Sequence, residues 1–125
     1  MPHPGTRAIV PTRALTPGER AILDLLLAAD LPSGDALRQQ LDGARVSEEC
    51  TCGCPSVLFS IDPARPAAPG YRYGVAVEAE TVDRDGTPIW VLLHVVHGYM
   101  RELEVLRADS APVRLPDARD LTVSL

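Results

Sequence analysis

YGVAVEAETVDRDGTPIWVLLHVVHGYMRELEVLR, residues 73–107, decides the fold. Three runs rich in β-branched and aromatic residues, Tyr73–Val82, Thr87–Val96 and Tyr99–Arg107, are separated by Asp83-Arg84-Asp85-Gly86 and by His97-Gly98. Strand-length runs broken by short Asp/Gly-containing segments mark successive antiparallel hairpins. This stretch therefore predicts a three-strand meander, and the rest of the chain is read around it.

Hairpin loops fix which residues face each other. A two-residue loop at His97-Gly98 pairs Val96 with Tyr99, His94 with Arg101, Leu92 with Leu103 and Trp90 with Val105. A four-residue loop at 83–86 pairs Ala79 with Trp90, Val77 with Leu92 and Val75 with His94. On this register the face carrying Trp90, Leu92 and His94 is the one expected beneath helices. The opposite face presents Ile89, Val91 and Leu93 between two rows of carboxylates, Glu78 with Glu80 and Glu102 with Glu104. An apolar centre with a charged rim is how docking surfaces are built. The same pattern also describes a half-wet outer sheet face kept soluble by its glutamates.

Upstream, residues 1–14 carry Pro2, Pro4 and Pro11 and read as a flexible arm ahead of a single domain spanning 15–125. Thr16-Pro17-Gly18-Glu19 is a helix start: Thr16 as N-cap, proline at the first helical position and Glu19 to complete a capping box. Ile22, Leu25, Leu26 and Ala29 follow at helical spacing, and Leu31-Pro32 ends the helix. Ser33 is the expected cap of a second helix containing Leu37 and Leu41, stopped by Asp42-Gly43. Beyond Gly43 the period changes to two, predicting strands over 44–49 and 56–62. Pro63 to Gly70 reads as an extended loop, and the tail with Pro112 and Pro116 as a strap with at most a short last strand. The expectation is an α+β domain in which two N-terminal helices pack on one face of a five-stranded antiparallel meander.

All three cysteines fall in Cys50-Thr51-Cys52-Gly53-Cys54-Pro55. They are too few and too close to staple a fold. Thiolates at alternate positions suit Zn²⁺ or Cu⁺, because soft ions prefer sulfur. In a regular strand the three side chains point one way; around a turn, Gly53 lets the backbone curl about an ion instead. Zinc would need a fourth ligand from a histidine, a carboxylate or water. Redox or sulfur chemistry, and plain packing of a tight turn, are the other two readings. His94 and His97, three apart in a strand and turn, face different ways and do not chelate jointly; His3 lies on the N-terminal arm. No phosphate-binding glycine loop, H-E-x-x-H or G-x-S-x-G is present, so no complete catalytic site is visible.

Seventeen acidic residues against twelve arginines and no lysine give a net charge of −5. That balance argues against nucleic acid or an anionic membrane as partner. No secretory signal or bilayer-length apolar run is seen, and an odd cysteine count without such a signal fits a reducing cytoplasm.

The span from Leu15-Thr16-Pro17-Gly18-Glu19 through Cys52-Gly53-Cys54-Pro55-Ser56 to Gly98-Tyr99-Met100-Arg101-Glu102-Leu103-Glu104-Val105 resembles uncharacterised small actinomycete proteins with a C-x-C-G-C-P turn. The last hairpin is similar, loosely, to those of immunity proteins of polymorphic-toxin systems. The resemblance implies a bacterial cytoplasmic protein and assigns no functional residue. Three functions stay in play: binding of a protein partner, or self-association, through the acidic face; zinc or copper binding by Cys50, Cys52 and Cys54; and a cysteine-dependent enzyme or accessory protein of a biosynthetic pathway.

Overall fold

A computed structural model describes residues 5–124. The elements run β1 (Thr6–Ala14), α1 (Pro17–Leu27), α2 (Gly34–Leu41), β2 (Arg45–Cys50), β3 (Val57–Ser60), β4 (Tyr73–Val82), β5 (Pro88–Val96), β6 (Tyr99–Arg107), a 3₁₀ turn (Ala118–Asp120) and β7 (Thr122–Ser124). The class is α+β as expected, but the sheet has seven strands among the described residues instead of five, in the order β1-β2-β3-β6-β5-β4-β7, with every pairing antiparallel. Among the described residues, no helix is long and apolar enough to cross a membrane.

One strand escaped the sequence pattern, and the short last strand that the pattern allowed is present as β7. Residues Thr6–Ala14, expected as an arm, form β1 and pair with β2, Thr6 opposite Cys50 and Ala14 opposite Arg45. Pro11 is tolerated because β1 lies at the end of the sheet and its ladder is irregular between Ala8 and Arg13. At the other end β7 covers Glu78 to Glu80 of β4. His3, also assigned to the arm, lies outside the described residues.

The helix start is as read. The Thr16 hydroxyl accepts from the Glu19 N–H at 3.1 Å, and the Glu19 carboxylate accepts from the Thr16 N–H at 2.9 Å. The helix buries Ile22, Leu23, Leu26 and Leu27, so its apolar face is rotated slightly from the one expected. Ser33 is the N-cap residue of α2 as expected, but its side chain makes no capping hydrogen bond; it sits in the left-handed region, and its hydroxyl donates to the Pro69 carbonyl. Leu37 and Leu41 are buried as expected.

A fully buried amide joins the helices to the sheet. Gln40 Nε2 donates to the carbonyls of Pro66 and Gly98, at 2.8 and 2.7 Å, and its Oε1 accepts from the Met100 N–H at 2.9 Å. One side chain thereby satisfies backbone groups from the 63–70 loop, the β5–β6 turn and β6.

The three-strand meander β4-β5-β6 is present, but β3 pairs with β6 and not with β4, so the five expected strands do not form one continuous meander, and the register of the three is offset by one residue through most of its length. Between β4 and β5 the Gly86 N–H reaches the Asp83 carbonyl and the Asp83 N–H reaches the Thr87 carbonyl. This is a three-residue loop with Gly86 at φ +85°, in place of the expected four-residue loop. Val82 consequently pairs with Pro88, Ala79 with Val91 and Val77 with Leu93. Between β5 and β6, Val96 opposite Tyr99 holds as expected, but a bulge then sets His94 opposite Glu102, Leu93 opposite Leu103 and Val91 opposite Val105. An odd offset exchanges the two faces of a strand. Ile89, Val91, Leu93 and Val95 are therefore core, while Trp90, Leu92 and His94 face outward and are half-buried.

This register makes a paired prediction. Leu93→Ala, at a site with no solvent exposure, lowers unfolding free energy by about 3 kcal/mol. Leu92→Ala, on the outer face, lowers it by about 1 kcal/mol or less. Urea titration of the two variants checks the difference, and the reverse order would return β5 to the register read from the sequence.

Candidate metal centre

β2 ends at Cys50, and the chain turns at once. The Gly53 N–H donates to the Cys50 carbonyl, and Gly53 takes φ +85°, a conformation open to glycine without steric cost. The cysteines thus wrap a turn, and do not lie along one strand face. All three Sγ atoms fall within 4.8 Å of one another, with Cys50 and Cys52 sulfurs 2.8 Å apart. The Cys54 N–H donates to the Cys52 sulfur at 3.3 Å, drawing the far leg of the turn inward. Cys50 is buried, Cys54 half-buried and Cys52 exposed.

Both legs of the turn are anchored. On the β1 side, the Gly5 carbonyl accepts from the Thr51 N–H at 3.1 Å and from the Thr51 hydroxyl at 3.0 Å. On the β6 side, the buried Ser56 hydroxyl accepts from the Val105 N–H at 2.9 Å and donates to the Val105 carbonyl at 3.4 Å. Ser56 was invisible as a site residue in the sequence, because its partner lies 49 positions away.

The cluster fits a thiophilic ion. Zn–S bonds of about 2.3 Å place the sulfurs of a tetrahedral site roughly 3.8 Å apart. Cys50 and Cys52 would have to separate by about 1 Å from their present spacing to reach that value. Among the described residues the group contains the three sulfurs and no histidine or carboxylate. Burial, followed by the hydrogen bond to Cys52, pushes the Cys50 thiol up to about 12. A thiol that holds its proton so firmly is a poor nucleophile, which weighs against Cys50 as a catalytic cysteine. His94 hydrogen-bonds Glu104 at 2.8 Å on the outer sheet face, and His97 occupies the β5–β6 turn at φ +51°.

A cavity of about 370 Å³ adjoins the turn, lined in part by Cys50, Cys54, Arg7, Arg13, Glu19 and Glu49. Arg13 grips the buried Glu19 carboxylate through both terminal nitrogens at 2.9 Å and reaches Glu49 at 3.5 Å, while Arg7 lies 3.2 Å from Glu49. Burial pushes the Glu19 carboxyl up, but the Arg13 hydrogen bonds, the Thr16 N–H and the Arg13 charge together hold it below the usual range.

The partner surface read from the sequence is not assembled as expected. Ile89, Val91 and Leu93 lie in the core and cannot touch a partner. Glu78 and Glu80 are exposed on the outer face, and Glu102 and Glu104 are half-buried there. The apolar residues between them are Trp90, opposite Glu80, and Leu92, opposite both Glu78 and Glu104. Trp90 donates its indole N–H to Glu80 at 3.2 Å, and Arg101 lies 3.5 Å from Glu48.

Residues 12–116, from within β1 to beyond β6 and including the cysteine turn, match a family described as a domain of unknown function, DUF6984. This chain belongs to the DUF6984 family. No curated protein and no solved structure matches it. Membership agrees with the expected resemblance to an uncharacterised protein family; it carries no link to toxin-immunity proteins.

The Arg13–Glu19 pair gives this DUF6984 domain a defined acid response. Glu19 has a folded-state pKa below its unfolded value. Its contribution to stability is therefore present above the ordinary carboxylate pKa of about 4.3 and disappears as pH falls through the lower folded value. Glu19→Gln is expected to be less stable than wild type at neutral pH, with the gap narrowing as pH falls below the ordinary carboxylate range. Urea midpoints across that range check it; a gap independent of pH would remove Glu19 as the titrating group.

Proposed function

We propose that this protein is a metal-binding domain whose site is the Cys50, Cys52, Cys54 turn, with zinc or copper(I) as the ion. The observation that carries the reading is the convergence of three sulfurs within 4.8 Å on a turn whose two legs are independently anchored. Three thiolates are a donor set for soft or borderline ions and a poor one for magnesium or calcium. A bound ion would tie the end of β2 to the start of β3, and the exposed Cys52 leaves it accessible from solvent. The test is metal content by mass spectrometry on untagged protein, with a thiol count in denaturant. The expected result is one equivalent of zinc or copper, lost in Cys52→Ser. No stoichiometric metal together with three titratable thiols rejects the site.

A second reading attaches to the outer sheet face. Trp90 and Leu92 are half-buried between Glu78 and Glu80 on one side and Glu102 and Glu104 on the other. Charge complementarity makes the fitting occupant a basic protein partner with an apolar anchor. A second copy fits poorly, since it would oppose the same carboxylates. Glu78→Arg combined with Glu80→Arg is expected to weaken capture of a cross-linked partner that Cys52→Ser captures normally. Equal capture by both variants rejects this face.

A further inference from the structure

We infer that Cys50 and Cys52 form a reversible redox pair, closed by a low-molecular-weight disulfide and reopened by thiols, and that closing it expels the bound ion. The pair stands without a metal; the expulsion rests on the thiolate reading above.

The geometry of the turn carries the inference. Along an extended strand, Cα atoms two residues apart are separated by about 6.6 Å. That is close to the outer limit of about 6.8 Å that a disulfide spans. Here the strand stops at Cys50, and the Gly53 N–H closes a β-turn onto the Cys50 carbonyl at 3.3 Å. Thr51 and Cys52 become the central residues of that turn, which shortens the span between the two cysteines. Their sulfurs lie 2.8 Å apart. Even the smaller carbon atoms rest against each other only at roughly 3.5–4.0 Å. Less than about 1 Å of further approach reaches the disulfide bond length of about 2.05 Å. The contacts around the pair hold it there. The N–H and hydroxyl of Thr51, between the two cysteines, both donate to the Gly5 carbonyl, and the Cys54 N–H donates to the Cys52 sulfur.

Exposure orders the steps. Cys52 is exposed and Cys50 buried, so an incoming disulfide R–S–S–R reaches Cys52 first. The Cys52 sulfur, its proton given to solvent, attacks one sulfur of the reagent. The reagent's S–S bond breaks, and R–S⁻ leaves and takes up a proton. Cys50, already in contact, then attacks the Cys52 sulfur. The Cys50–Cys52 bond forms, the mixed disulfide breaks, and the Cys50 proton departs with the second R–SH. Two protein thiols become one disulfide, and one R–S–S–R becomes two R–SH. Cys54 is then the single sulfur donor where there were three, too few to hold zinc or copper(I).

The experiment equilibrates the reduced full chain, with and without one equivalent of zinc, anaerobically across a series of oxidised-to-reduced glutathione ratios. Acid quenching, alkylation and fragment mass spectrometry locate the cysteine that still alkylates, and a chromophoric chelator reports released zinc. The expected result is loss of two of the three thiols in one step, with Cys54 the alkylated residue. Excess thiol reverses it, and zinc release tracks the loss. In Cys54→Ser the pair still closes; in Cys50→Ser, Cys52 stops at the mixed disulfide with glutathione. Three alkylated cysteines at every ratio overturn the pair and leave the metal reading standing. Alkylation of Cys50 or Cys52 in place of Cys54 overturns the pairing. Zinc retained by the oxidised protein overturns the expulsion. A pair that closes in a protein whose reduced form takes up no zinc upholds the redox site and counts against zinc as the ion.

Discussion

Arg107, nearly closed off from solvent at the end of β6, donates to Asp83, Asp85 and Thr87 in the turn between β4 and β5, and to Asp109 beyond its own strand. Its hydrogen bond holds the Asp85 carboxyl down to about 2. By gripping both ends of the turn, the guanidinium supports the three-residue loop. The parity of that loop decides which side of β5 meets the helices. With it, Ile89, Val91, Leu93 and Val95, all aliphatic, enter the core, while Trp90 and His94 are left where their polar atoms find Glu80 and Glu104. Closing the core around the other row would have required partners for an indole N–H and an imidazole among leucines.

β5 also explains where sequence reading loses its grip. The strand is apolar at nearly every position from Ile89 to Val96, so alternation does not select a face, and the register hangs on counting loop residues. Asp83-Arg84-Asp85-Gly86 fits either a four-residue loop or a three-residue loop with a glycine bulge. What selects between them is Arg107, more than twenty positions away. The capping box at Thr16 and Glu19, the helices and the hairpin sequence were legible because each is fixed by neighbours within a few residues. β1 and the β3–β6 contact were not, being pairings between segments far apart in the chain.

The candidate site divides the same way. Convergence of the cysteines follows from their spacing and from Gly53, all local. Ser56 holding Val105, Gly5 holding Thr51 and the Arg13–Glu19 pair beside the turn depend on tertiary neighbours and carry no motif. Sequence alone therefore singled out the thiols of the turn and left their role open, while the structure supplied its supports.

Gln40 and the cysteine turn sit towards opposite ends of β6. The amide engages the strand at Met100, whereas the turn is tethered through Ser56 at Val105, about 17 Å further along at the usual rise per residue. The helical layer also has a fastening beside the sulfurs: Glu19, in the first turn of α1 and held by Arg13 of β1, lines the same cavity as Cys50 and Cys54. The helices are thus pinned to the sheet at two separate points, by an ion pair next to the cysteine turn and by an amide near the far end of β6, so that neither pin alone carries the layer.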